Sequence, residues 1–178
     1  SNEPRARLNM AGPLPNCHLD GQILPLAAAR ISPLDRSFLF GDGIYEVIPV
    51  HGGRLFRPAA HLARLERSAA ALQLRNPHDR DAWESLLAEL LAANGGGEQY
   101  IYLQLSRGAE WGRNHAPLPD IAPTVFAYGS PWPQPAESTL QQGLACITAE
   151  DNRWGRCDIK STALLANVLL RQLAVDAG

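Results

Sequence analysis

Lysine is almost absent from this chain. Of 16 basic residues in 178, fifteen are Arg and one is Lys, at position 160. Arg can replace Lys in most surface roles, but it stays protonated above pH ~12 and cannot become the amine that condenses with a carbonyl. The single Lys is therefore either a leftover on the surface or the one position where an amine is required. Composition alone does not choose between them.

Other shortages narrow the function classes. No apolar run approaches the ~18 residues needed to cross a bilayer. Ser1 to Pro15 lack the apolar centre of a signal peptide, and Ser1-Asn2 reads as a remnant of cloning. The formal charge is only -2 and no basic block occurs, which argues against nucleic acid or an anionic membrane as partner. Cys17, Cys146 and Cys157 are odd in number, widely spaced and without a C-x-x-C pair. They make a poor disulfide framework and a poor zinc site, so a reducing cytoplasm is expected. The five histidines show no ligand spacing, which argues against a metal enzyme. What remains is enough for one ordinary domain, or one domain and a piece of another.

Turn residues and periodicity lay out the elements. Asn16 to Pro25 reads as a hairpin turned by Asp20-Gly21, and Ile44–Val50 with Arg54–Phe56 as a second, turned by Gly52-Gly53. Pro58 opens a helix with Leu62, Leu65, Ala69 and Leu72 on one face. A second helix is expected from Asn76-Pro77, carrying Trp83, Leu86, Leu87, Leu90 and Leu91, to a stop at Asn94-Gly95. Glu98–Ser106 and Thr124–Tyr128 read as strands, giving an α+β domain over 16–129 with helices on one face. The alternate prolines of 130–136 read as a stiff interdomain linker. Beyond it, a strand at Gly143–Ala149 and a helix from about Ser161 to Ala177, capped by Gly178, begin a second, incomplete unit over 137–178.

Three segments carry a family resemblance. Asp35-Arg-Ser-Phe-Leu-Phe-Gly-Asp-Gly-Ile-Tyr-Glu-Val47 is similar to the early signature of fold-type IV pyridoxal-phosphate enzymes. Arg107-Gly-Ala-Glu-Trp-Gly-Arg-Asn-His115 resembles the substrate loop of their D-amino-acid transaminase branch. Glu150-Asp-Asn-Arg-Trp-Gly-Arg-Cys-Asp-Ile-Lys-Ser161, followed by Leu164-Leu165-Ala-Asn-Val168, resembles the catalytic-lysine segment of that branch. The likeness runs from about Asn16 onward. It implies the N-terminal sheet-and-helices domain of fold-type IV, followed by the start of the cofactor-binding domain. It also implies pyridoxal 5'-phosphate as cofactor and transfer of the amino group of a D-amino acid, such as D-alanine, to a 2-oxo acid.

The resemblance assigns roles residue by residue. Lys160 stands where the family keeps the Schiff-base lysine, which holds the cofactor aldehyde and then shuttles a proton. Arg64 matches the arginine at the cofactor phosphate, a role suited to a guanidinium fork; its plainer reading is a polar residue on an amphipathic helix. Tyr45, Arg113 and His115 match the residues that grip the substrate carboxylate. In the family the Arg-x-His loop reaches over from the partner subunit, so a homodimer is implied. Here the loop from Arg107 to Arg113 is one residue longer than the family pattern, which bears on reach and substrate range.

The family also places a carboxylate opposite the pyridine nitrogen, and further phosphate donors, downstream of the lysine helix. After Lys160 the only acid here is Asp176. The chain is therefore expected to lack a further half to whole domain, and to hold the cofactor poorly by itself. Two rivals share the fold: an aminodeoxychorismate lyase and a branched-chain transaminase. A third is a non-catalytic homologue that serves as a dimerisation or binding module.

Overall fold

A computed structural model describes residues 12–178. The stretch 1–11, which includes Ser1-Asn2 and most of the segment read as lacking a signal-peptide core, lies outside the described residues.

Six strands form one antiparallel sheet: β1 (Asn16–Leu19), β2 (Gln22–Pro25), β3 (Gly43–His51), β4 (Arg54–Leu55), β5 (Gln99–Ser106) and β6 (Thr124–Pro131), in the order β2-β1-β6-β5-β3-β4. The two hairpins turn where expected. Asp20 and Gly21 both take positive φ (46° and 86°), as a turn matched to the twist of the strands requires. Alternation then sorts the side chains. Ile44, Ile48 and Val50 of β3, Ile101, Leu103 and Leu105 of β5, and Val125 and Ala127 of β6 point to one face and are buried.

Two helices cover that face. In α2 (Pro58–Ala71), Leu62, Leu65 and Ala69 recur at helical spacing and all lie in the core. In α3 (Arg80–Ala93), Trp83, Leu86, Leu87, Leu90 and Leu91 do the same. The opposite face keeps a row of half-buried rings. Tyr45 stacks on Tyr102 (5.4 Å), Tyr102 meets Tyr128 (5.4 Å), and Tyr128 meets Phe126 (5.7 Å). Burial, with Tyr128 and Tyr45 close by, pushes the Tyr102 phenol up to about 12.

Several boundaries move from those expected. The second helix begins at Arg80, not at Asn76: Asp79 is the cap, accepting from Ala82 N at 2.9 Å. Asn76 instead accepts from Trp83 Nε1 (3.0 Å), so its side chain is used to seat the indole. Strand β6 continues past Tyr128 through Ser130 and Pro131, which pair with Tyr100 and Gln99. Pro131 is tolerated because it ends the strand. Gly143–Ala149 forms no strand. It has no ladder partner among the described residues, and Leu144 and Ile147 are exposed. Instead a short helix, α4 (Glu137–Gln142), precedes it, and the last helix, α5 (Leu165–Asp176), starts four residues after Ser161. Ala177 caps α5 and Gly178 follows in the left-handed region (φ 98°). One further helix was not anticipated: α1 (Arg36–Phe40). No helix among the described residues is long and apolar enough to cross a membrane.

Leu87 of α3 is fully buried in the core. Leu87→Ala is expected to lower the unfolding free energy by about 2–5 kcal/mol, read from urea denaturation. A loss below about 1 kcal/mol would place the helix pair elsewhere.

Candidate active site

The segment Glu150–Leu164 has little regular structure, yet its end is fixed firmly. Strand β5 occupies one edge of β3 along its whole length, whereas β4 pairs only with Val50 and His51. The other edge of β3 is thus open at its start, and the lysine segment fills it. Ser161 bridges Ile44, Tyr45 N donates to Lys160 O (3.0 Å), and Thr162 N donates to Gly43 O (2.9 Å). Ile159 inserts into the core beside this pairing, and Lys160 N donates to Ser68 Oγ on α2 (3.3 Å). Thr162 Oγ1 donates to Gly41 O (3.1 Å), which ties the segment to the end of α1.

Pinned in this way, the Lys160 side chain crosses the face of Tyr45, with Nζ 4.1 Å from the ring centre. Both residues line an open cavity of about 1100 Å³, together with Ser37, Phe40, Trp154 and Leu164. A ligand of cofactor size with a small substrate fits such a volume. Sequence reasoning expected Lys160 and Tyr45 at one site, and the structure brings them together.

Arg64 sits on α2 with its fork already engaged. Nε and Nη2 donate to the two carboxylate oxygens of Glu46, each at 2.6 Å, and His61 Nδ1 lies 2.8 Å from the same group. The bonds to Glu46 outweigh partial burial and raise the Arg64 pKa further. Glu46 is fully buried, while the Arg64 side chain remains 44% exposed. The side-on fork of Arg64 is taken by Glu46, which leaves both hydrogens of Nη1 and the second hydrogen of Nη2 on its outer edge for another acceptor. Glu46 was missed in the sequence. The signal was there: an acid at an inward position of β3, between Ile44 and Ile48, must find a cation.

Arg113 and His115 do not line the Lys160 cavity. They lie on an exposed loop and rest on Phe40, which separates them from it. The Arg113 guanidinium carbon is 5.0 Å from the Phe40 ring centre and the His115 ring is 5.5 Å away. Beneath them runs a buried ionic network that the sequence reading also missed. Arg36 Nε donates to Asp42 (2.8 Å), Nη1 to Glu110 and to Asn114 O (2.6 Å), and Nη2 to His115 O (3.0 Å). Arg107 donates to both oxygens of Asp42 (2.7 and 3.0 Å) and to Leu72 O (2.8 Å).

The local sequence dictates this arrangement. Asp35 caps α1 through Ser37 N and also accepts from Ser106 and Thr124 hydroxyls. After only five residues Gly41 ends the helix at φ 68°, turning Asp42 back toward Arg36. Gly108, at φ 106°, runs so close to the neighbouring chain that a Cβ would lie 1.9 Å from Ala122 O.

The family model described as class IV amino-transferase matches residues 43–178. The chain belongs to the class IV aminotransferases. Among curated relatives, the D-alanine aminotransferase of Staphylococcus haemolyticus is 38% identical over 158 residues, 88% of this chain and 55% of that protein. That of Bacillus licheniformis is 39% identical over 158 residues, 89% of this chain and again 55% of the relative. The chain thus spans about half the length of these relatives. Among solved structures, the branched-chain amino acid aminotransferase of Escherichia coli superposes with a TM-score of 0.80 over 93% of this chain and 56% of that one. At 19% identity this likeness concerns the fold. A hypothetical aminotransferase from Mycobacterium tuberculosis gives 0.72 at 25% identity, over 92% of this chain and 58% of that one. The expected α+β architecture of the class is therefore the one found.

The network under the loop should register in acid. Burial raises the Asp42 pKa, but bonds from Arg107 and Arg36 outweigh it and hold the carboxyl below the ordinary carboxylate range. A depressed pKa stabilises the fold fully above about pH 4, and that contribution disappears as pH falls through the lowered folded value. Unfolding free energies measured from pH 6 to pH 2 should fall less steeply in Asp42→Asn than in the parent. Equal slopes would remove Asp42 from the ionic network.

Proposed function

We propose that the complete gene product is a pyridoxal-phosphate-dependent transaminase that moves the amino group of a D-amino acid, such as D-alanine, to a 2-oxo acid. The observation that carries this reading is the placement of the sole lysine. In a chain that otherwise uses guanidinium for positive charge, its amine is fixed over Tyr45 in a cavity by backbone bonds to β3 and α2. The names of the relatives at 38% and 39% identity support the D-amino-acid branch over the lyase and branched-chain alternatives.

The residues present suit the cofactor. Nζ of Lys160 is a primary amine with no carboxylate partner among the described residues, so it can join an aldehyde. When bound, the cofactor supplies an electron-poor ring that draws charge from the substrate α-carbon. Lys160 would hold it, and its Nζ, released by the incoming amine, would carry the proton from the substrate α-carbon to the carbon that had borne the aldehyde. Tyr45 backs the amine with its ring and offers its hydroxyl as a donor to the substrate carboxylate. Arg64 offers its outer Nη1 and Nη2 hydrogens to the phosphate, with Glu46, itself in contact with His61, holding the inner edge of the head group.

Arg113 and His115 supply the remaining carboxylate donors, in our reading to the site of a second subunit. Their position beyond Phe40, outside the cavity of their own chain, supports that assignment and a homodimer. Residues 16–129 act as the N-terminal domain, the stretch within 130–136 as the connector, and 137–178 as the beginning of the cofactor domain. A cytoplasmic setting suits three unpaired cysteines.

The test uses the complete gene product with D-alanine and 2-oxoglutarate, following pyruvate. Lys160→Ala should cut the rate at least about a thousandfold. Transfer that survives this change would end the proposal, and activity with L-valine but not D-alanine would move it to the branched-chain branch.

A further inference from the structure

The loop that follows β5 has almost no regular structure, and Trp111, Gly112, Arg113, Asn114 and His115 are all exposed. Nothing in the side chains of Arg113 and His115 themselves fixes the backbone that carries them. What fixes it lies underneath. Arg36 is 3% exposed and reaches two consecutive loop carbonyls, Asn114 O through Nη1 and His115 O through Nη2. Its charge is balanced by Asp42 and by Glu110, which is itself buried and accepts from Leu118 N at the far side of the loop (3.1 Å). Phe40 completes the stack, with the Arg36 guanidinium carbon 4.7 Å from its centre and that of Arg113 at 5.0 Å.

We propose that Arg36 is a positioning residue for substrate-carboxylate recognition: it sets the orientation of Arg113 and His115 by holding the backbone between and after them. This rests on the reading of Arg113 and His115 as the carboxylate grip. The physical requirement is a planar, multiply donating cation. Two acids take part of the guanidinium, and the remaining N–H groups are directed at two carbonyls one residue apart. Lys offers three donors on a flexible stem and cannot satisfy four acceptors in one plane. Arg36 also belongs to α1, whose C-terminal Phe40 lines the Lys160 cavity, so the loop is keyed to the element that borders the amine. A shift of about 1 Å in such a grip is enough to weaken binding severely.

The experiment compares Arg36→Lys, Glu110→Gln and Arg113→Ala with the parent in the complete, cofactor-loaded gene product. Four quantities are read: kcat and KM for D-alanine, inhibition by propionate, and Kd for pyridoxal phosphate. Arg36→Lys should raise KM and the propionate inhibition constant together, about 10- to 100-fold, with kcat and cofactor Kd within about threefold of the parent. Glu110→Gln should show the same pattern more weakly, and it decides the matter if Arg36→Lys does not fold. A parallel loss of kcat, KM and cofactor affinity would make Arg36 a general structural residue and overturn the proposal. So would an unchanged KM in Arg36→Lys while Arg113→Ala raises it; in that case the carboxylate reading stands. If Arg113→Ala leaves KM unchanged, the carboxylate reading itself fails and the inference goes with it.

Discussion

The backbone hydrogen bonds that join Lys160 and Thr162 to the first residues of β3 decide where the amine can be. They exist because β4 is short. A longer β4 would occupy the edge beside Gly43–Tyr45, and the lysine segment would have no ladder to close. With the edge open, Ile159 falls into the core on one side of the pairing and Lys160 emerges on the other, above Tyr45. A strand partner fixes the direction of a side chain more firmly than a loop can, because register decides which face each residue takes. The amine therefore stands on the sheet even though its segment contributes a single bridge.

Buried charge organises the rest of the site. Arg36 and Glu110 are buried, and the partly buried Asp42 and Arg107 complete a set with equal numbers of cations and anions. Removing such groups from water costs roughly what their mutual attraction returns, so the network is poor grounds for expecting extra stability. Its effect is geometric. It joins α1, the end of β5 and the following loop into one piece, and removal of any member leaves a buried charge without its counterpart. Glu46 works similarly from beneath the sheet, where it fixes the head group of Arg64 against α2.

The legible part of this fold was local. Asp20-Gly21 and Gly52-Gly53 marked their turns because few residues adopt positive φ, and alternation in β3 and β5 marked their faces. The same reasoning missed where competition was close. Asn76 before Pro77 reads as a cap, and only the tertiary position of Trp83 shows that Asn76 serves the indole while Asp79 caps the helix. Gly143–Ala149 had the composition of a strand, but a strand also needs a partner, and composition does not reveal one. Motif and chemistry pointed to Lys160 and Tyr45 together, and the two are adjacent. Arg36, Glu46 and Glu110 were overlooked because a charged residue in a sequence is assumed to face water, although the inward register of Glu46 contradicted that assumption.

The near-absence of lysine then acquires a structural meaning. Arg64 and Arg107 meet their carboxylates through two nitrogens each, and so do Arg153 with Asp151 and Arg156 with Asp158 on the surface. The exposed pairs contribute little to stability, yet all four show the guanidinium used as a planar fork that fixes direction as well as charge. A fork is suited to holding a partner still and unsuited to forming and breaking a covalent bond. Lys160 is arranged in the opposite way. Its backbone is tied on two elements while Nζ meets an aromatic face and no carboxylate among the described residues, so the anchor is fixed and the amine is free of an ion pair. Two kinds of cation are thus held in two ways in one chain: these four forks by carboxylates, and the amine by its backbone alone.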